Sequence, residues 1–176
     1  MLSSFQQLKE IEQKCLDNAE RMPSADGATD DWLGIGFKVA GMNLLSKMGD
    51  VTEILDLPPF TRVPGVKPWV IGIANVRGSL LPLMDLTGFI TGEAMRNKKA
   101  GRVMVVSQHG VTTGLLVEEV QGMRHFSLND QAYELPEISN RMKPYIKQAF
   151  KKDNTFWPVF NMSALVEDER FIHVSL

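Results

Sequence analysis

Ile71-Gly72-Ile73-Ala74-Asn75-Val76-Arg77-Gly78-Ser79-Leu80-Leu81-Pro82-Leu83-Met84-Asp85-Leu86 holds two short apolar runs, 71–76 and 80–86, separated by a charged and small-residue break. Apolar runs of this length bounded by Gly and Ser read as strands. Gly78 permits a positive φ after the turn. Pro82 marks a strand position whose N–H is not needed, and Asp85 can accept backbone N–H bonds where the strand ends. Arg77, between Asn75 and Gly78, sits at a turn from which a bulky charge projects into water.

Outward from this stretch the period of two continues. Leu33, Ile35, Phe37 and Val39 alternate with Trp32, Gly34, Gly36 and Lys38, which predicts a half-buried strand. Ala40-Gly41 is a two-residue turn into a strand over 42–47, and His109-Gly110 is a second such turn between strands 102–108 and 111–117. Further strands are expected over 123–127, 145–151 and 155–162. The plan is mainly β with small helices. Residues 1–22 differ: Leu8, Ile11, Cys15 and Met22 recur at helical steps, Pro23 ends the pattern, and the small polar run 24–31 reads as a linker.

The chain also resembles itself. At an offset of 69, Gly41, Asp50, Val51 and Ile54 correspond to Gly110, Glu119, Val120 and Met123. At an offset of 76, Leu81-Pro82-Leu83-Met84-Asp85-Leu86-Thr87 lines up with Trp157-Pro158-Val159-Phe160-Asn161-Met162-Ser163. Both copies read as a strand running into a short helix capped by Thr87 or Ser163. Two small closed sheets would satisfy the repeat and hide the edges of both.

Composition narrows the function. In 176 residues, 19 Lys plus Arg oppose 21 Asp plus Glu, so no overall field draws in nucleic acid. Cys15 is the only cysteine, which excludes an intrachain disulfide and a thiolate-rich metal site and suggests a reducing compartment, the cytoplasm. The longest run free of Asp, Glu, Lys and Arg, 103–117, carries Ser107, Gln108, His109, Thr112 and Thr113 and does not resemble a membrane span. Gly36 and Gly41 have phosphate-loop spacing, but Met42-Asn43 stands where Lys and Ser or Thr would be needed. His109 reads as a turn residue, and His125 and His173 as partly exposed strand residues. The basic clusters Arg96, Lys98, Lys99, Arg102 and Arg141, Lys143, Lys147, Lys151, Lys152 read as solvated surface. Nothing points to a catalytic constellation, a cofactor or a metal.

The stretch 71–86 resembles the signature segment of the CheW-like adaptor domains of bacterial chemotaxis, with the pattern G-x-x-N-x-R-G-x-x-x-P-x-x-D-L intact. Upstream, Gly49-Asp50-Val51-Thr52-Glu53-Ile54 resembles the family's V-x-E-I segment. Downstream, residues 114–123 resemble its G-x-x-V-D-x-V-x-x-V strand pair, with Glu118 and Glu119 departing from the usual Asp and Gly. The match runs from 32 to about 168. The amino-terminal helix and the short chain most resemble the branch of the family that serves type IV pilus twitching motility.

That resemblance implies two packed, five-stranded SH3-like barrels, the first over about 32–95 and the second over about 101–168. Both lie within a domain 32–176 that follows a helix and linker, 1–31. It implies a non-catalytic scaffold, in the cytoplasm at chemoreceptor arrays. The partners would be the cytoplasmic tip of a methyl-accepting chemoreceptor and the regulatory domain of a CheA-type histidine kinase, with no nucleic acid and no direct membrane insertion. Val51, Glu53, Ile54 and Arg77 match the family's kinase and receptor surface, and Gly72, Val120 and Met123 its receptor groove. By their own chemistry Val51, Ile54, Val120 and Met123 also suit core packing, and Arg77 a surface ion pair. The alternative of another class is a small β-barrel that binds a metabolite or nucleic acid.

Overall fold

The computed structural model describes residues 31–176. The helix and linker expected before Asp31 lie outside the described residues. Twelve strands follow: β1 (Asp31–Val39), β2 (Met42–Lys47), β3 (Val51–Asp56), β4 (Phe60–Thr61), β5 (Val70–Val76), β6 (Ser79–Asp85), β7 (Arg102–Gln108), β8 (Val111–Val117), β9 (Glu119–Ser127), β10 (Gln131–Ala132), β11 (Ile146–Lys152) and β12 (Thr155–Phe160). Short helices α1 (Leu86–Thr91), α2 (Met162–Glu167) and α3 (Glu169–Ile172) complete the described fold. The mainly β expectation holds. Each sheet has six strands where five were expected, because two-residue strands, β4 and β10, extend one edge of each.

Four hairpins close through two residues that both have positive φ: Ala40-Gly41, Arg77-Gly78, His109-Gly110 and Asp153-Asn154. Such turns match the right-handed twist of the strands they join. At Arg77 the left-handed conformation, φ 52°, is supported by the Asn75 side chain, whose Oδ1 accepts from the Gly78 N–H at 2.9 Å.

The sheets do not follow the expected division near residue 100. One runs β10-β11-β12-β2-β1-β9 and the other β4-β5-β6-β8-β7-β3. Each therefore takes its β-hairpin from the other stretch of sequence. The repeat persists: mapping β4, β5, β6, β8, β7, β3 onto β10, β11, β12, β2, β1, β9 reproduces the order, with the hairpins exchanged. The exchange is made by parallel pairing, β6 with β8 (Leu83 opposite Gly114) and β12 with β2 (Val159 opposite Leu45). In each case the recorded parallel register starts one residue after a proline, Pro82 or Pro158, whose missing N–H would weaken a ladder.

Packing explains why the central strands read as unbroken apolar runs. Along β7, Val103 and Val105 face a core within their own sheet with Ile71, Leu81, Leu83 and Leu116, while Met104 and Val106 face a second core. That second core also takes Phe37, Val39 and Leu44 from the other sheet, together with Phe160, Met162 and Leu165. The other sheet has its own small aromatic core of Leu45, Phe126, Phe150 and Trp157. Strands buried on both faces lose the polar alternation that marks a half-exposed sheet.

The helix caps correct the expectation of Thr87 and Ser163. Asp85 caps α1 through Gly88 N–H at 2.9 Å, and Asn161 caps α2 through Ala164 N–H at 3.0 Å. Asp85 is fully buried, and its other oxygen accepts from Met95 N–H at 2.8 Å and lies 3.3 Å from Lys98 Nζ. Lys98, expected among solvated charges, therefore anchors the segment between α1 and β7.

Candidate functional site

The β5–β6 turn projects Arg77 across to β3, where its guanidinium meets Glu53 at 2.6 Å. Arg77 remains largely in water, with 78% of its side chain exposed, while Glu53 is 29% exposed. Ile54 on β3 and Leu80 on β6 are exposed apolar residues. This mixture of desolvatable apolar area and oriented charge is suited to protein contact.

A break in register between Val51 and Glu53 separates these two residues, which regular strand spacing would place on one face. Val51 lies opposite Val106, but Glu53 lies opposite Val105 and Ile54 opposite Met104. Thr52 is the extra residue, its hydroxyl donating to Val105 O at 3.1 Å. A bulge of one residue inverts the side-chain alternation. Val51 and Ile54 thus share the side of Val106 and Met104, and Glu53 shares the side of Leu55.

Gly72 is a close-approach glycine. A Cβ there would run into the Thr61 carbonyl of β4, and its φ is 152°. It lines an apolar cavity of about 300 Å³ together with Val66, Ile73, Met84, Phe171 and Ile172. The carboxyl-terminal residues form one wall, held by Lys67 N–H donating to Val174 O at 2.8 Å and Leu176 N–H to Gly65 O at 3.0 Å. Val120 is half-buried against the core that joins the sheets. Met123 is 67% exposed and lines a separate hollow with Arg124, Phe126, Lys152 and Trp157. Of the three residues expected in one groove, Gly72 and Met123 line different cavities and Val120 lines neither of them.

The internal repeat links the two candidate sets. Val51 and Ile54 correspond to Val120 and Met123 in strands at equivalent edges of the two sheets, and in each pair the first residue packs inward while the second is exposed. Arg77 corresponds by the same repeat to Asp153, so the two turns carry opposite charge.

Residue-by-residue reading of the sequence missed Leu80 and the carboxyl-terminal wall. Leu80 was legible in principle: Leu81 and Leu83 point into their sheet's own core, so Leu80 must point away. The wall gave no local signal, because it depends on Val174, Ser175 and Leu176 pairing with the distant segment Gly65, Val66 and Lys67. His109 is the expected turn residue and lies 3.2 Å from Glu167. His125 is exposed on β9, whereas His173 ends α3 and is not on a strand. No group of three or more metal-binding side chains occurs among the described residues.

A double-sheet fold with hairpins exchanged between repeats, carrying an exposed Arg–Glu turn at one tip, defines a known class. The CheW-like domain family model matches residues 33–170, and the chain belongs to that family. Over 172 residues it is 41% identical to Protein PilI of Pseudomonas aeruginosa, covering 98% of this chain and 96% of that protein. It is 24% identical over 137 residues to the Chemotaxis protein CheW of Bacillus subtilis, covering 77% of this chain and 86% of that one. In structure it resembles the scaffolding protein TtCheW from Thermoanaerobacter tengcongensis, with a TM-score of 0.67 at 23% identity over 79% of this chain and 94% of the other. No helix among the described residues is long and apolar enough to cross a membrane.

Proposed function

We propose that this chain is a non-catalytic scaffold that couples the tip of a methyl-accepting chemoreceptor to the regulatory domain of a CheA-type histidine kinase. The array would lie in the cytoplasm against the membrane that holds the receptor, and its output would control type IV pilus twitching motility. The likeness to PilI over nearly the whole chain supports the pilus assignment. The observation that carries the scaffold reading is the β5–β6 tip, where an exposed ion pair stands beside exposed Ile54 and Leu80. Val51, Glu53, Ile54 and Arg77 would serve the kinase or receptor. Gly72, Val120 and Met123 would serve the receptor from more than one hollow, with Gly72 acting through the shape of its cavity.

Exchanging the two charges tests this. Arg77→Glu and Glu53→Arg each leave stability within about 1 kcal/mol, since the pair is solvent-screened. Each weakens binding to the purified regulatory domain of a CheA-type histidine kinase, measured by calorimetry. Combining the exchanges restores the internal pair with reversed polarity. If the partner reads the charges themselves, the double variant stays weak; if it reads only an ordered turn, binding returns. Unchanged affinity in both single variants for kinase and receptor alike refutes the surface.

A further inference from the structure

Away from the tip, the turns before β5 and β11, with α1 and α3, enclose a cup of about 250 Å³ lined by Trp69, Phe89, Arg141, Tyr145 and Arg170. Its aromatic members pack mutually. Trp69 and Phe89 meet edge to face at 5.4 Å, and Phe89 lies 6.2 Å from Tyr145. Tyr145 is buried, and its hydroxyl is committed, bonded to Asp168 at 2.5 Å and accepting from Arg170 Nη2 at 3.2 Å. Arg170 also binds both oxygens of Asp168 through Nε and Nη2, so the carboxylate in this cluster is saturated.

What is left over is entirely donor. Arg141 has no hydrogen-bond or ion-pair partner among the described residues and Arg170 Nη1 makes no bond, while the unpartnered Trp69 Nε1–H is buried beyond the reach of a guest and adds no donor to the cup. A lining with free N–H groups, no free side-chain acceptor and aromatic walls is complementary to an oxyanion on an apolar body. The guanidinium of Arg141 supplies a two-pronged fork for a planar carboxylate. The volume limits the guest to about the size of one aromatic side chain, below the range of drug-sized ligands.

We propose that this cup binds a carboxylate borne on a small apolar or aromatic group. The carboxylate takes the Arg141 fork, and the apolar body lies against Trp69, Phe89 and Tyr145. Two sources present this chemistry, a free small acid and the carboxyl-terminal residue of a partner protein. The site is separate from the Arg77–Glu53 tip and does not depend on the scaffold reading.

Calorimetric titration of the full chain with phenylacetate, its neutral amide, and a tetrapeptide ending in phenylalanine with a free or an amidated carboxyl group tests the site. Saturable binding of phenylacetate within ~10 mM, a ceiling reasonable for so small a ligand, is expected, with the amide failing. Arg141→Ala weakens it about tenfold, the loss of a charged hydrogen-bonded pair, and folds normally because the side chain is exposed and unpaired. Lys143→Ala, which removes a nearby cation outside the cup, leaves binding unchanged. The free-acid peptide binding as well as phenylacetate identifies a protein terminus as the source; phenylacetate binding without it identifies a free acid. Absence of saturable binding by either acid overturns the proposal. So does equal binding of acid and amide, or an equal loss in Arg141→Ala and Lys143→Ala.

Discussion

Asp85 and Asn161 occupy equivalent places in the repeat and cap equivalent helices, yet one is a carboxylate and the other an amide. Asn161 needs only one acceptor, for Ala164 N–H. Asp85 needs two: Oδ1 serves Gly88 N–H, and Oδ2 serves Met95 N–H and faces Lys98. An amide at 85 would keep the cap but turn an N–H₂ group or a single shared oxygen toward the second donor. Asn161→Ala is therefore expected to cost about 1 kcal/mol, the usual worth of a cap. Asp85→Asn retains that bond but leaves a buried Met95 N–H unsatisfied, at about 1–3 kcal/mol. Asp85→Ala adds both losses and leaves Lys98 unpaired, for about 3 kcal/mol, a fall in Tm of roughly 6–12 °C in a chain of this size. Chemical denaturation with a shared m-value, alongside a thermal scan, measures all three. The order Asp85→Ala, Asp85→Asn, Asn161→Ala is the expected ranking of damage. If Asp85→Asn is neutral, or Asp85→Ala costs no more than Asn161→Ala, the two-acceptor account of Asp85 is wrong.

Gly72→Ala is expected to destabilise by about 1–3 kcal/mol because its Cβ meets backbone of β4 and cannot be accommodated by a side-chain rotation; a stability within error of wild type refutes this. Val120→Asp should cost about 1–3 kcal/mol, since it places a charge against the core between the sheets, whereas exposed Met123→Asp should stay within about 0.5 kcal/mol; denaturation curves that coincide would show that both are surface residues. The Asp168 carboxyl is lowered from 3.8 to about 2, first by its bond to Arg170 and then by Tyr145, against an opposing effect of burial. Because its folded pKa is depressed, its contribution is complete above pH 3.8 and is lost as pH falls toward 2, so the stability gap between wild type and Asp168→Asn should close across that window. A gap independent of pH from 5 to 2, within the ~0.5 kcal/mol resolution of such curves, contradicts the assignment.

Local chemistry was enough for the hairpin strands and their turns, though not for β3, β4 or β10. Arg102–Gln108, His109-Gly110 and Val111–Val117 appear with the boundaries expected, because the run length, the Gly and the positive-φ requirement are all properties of neighbouring residues. The same holds for the repeat, and for the signature around Asn75, Arg77, Gly78, Pro82 and Asp85 that carries the family. Which hairpin belongs to which sheet was not legible. Pairing β6 with β8 and β12 with β2 joins residues far apart in sequence, and no local pattern distinguishes the exchanged arrangement from a simple succession of barrels. The faces of Val51, Glu53 and Ile54 were not legible for a related reason: one bulged residue, Thr52, reverses alternation, and it is held by the carbonyl of Val105 on another strand. The cup around Trp69 gathers residues from 69 to 170. None is distinctive in its own segment, since free donors and aromatic walls become a site only when the tertiary fold sets them facing one another.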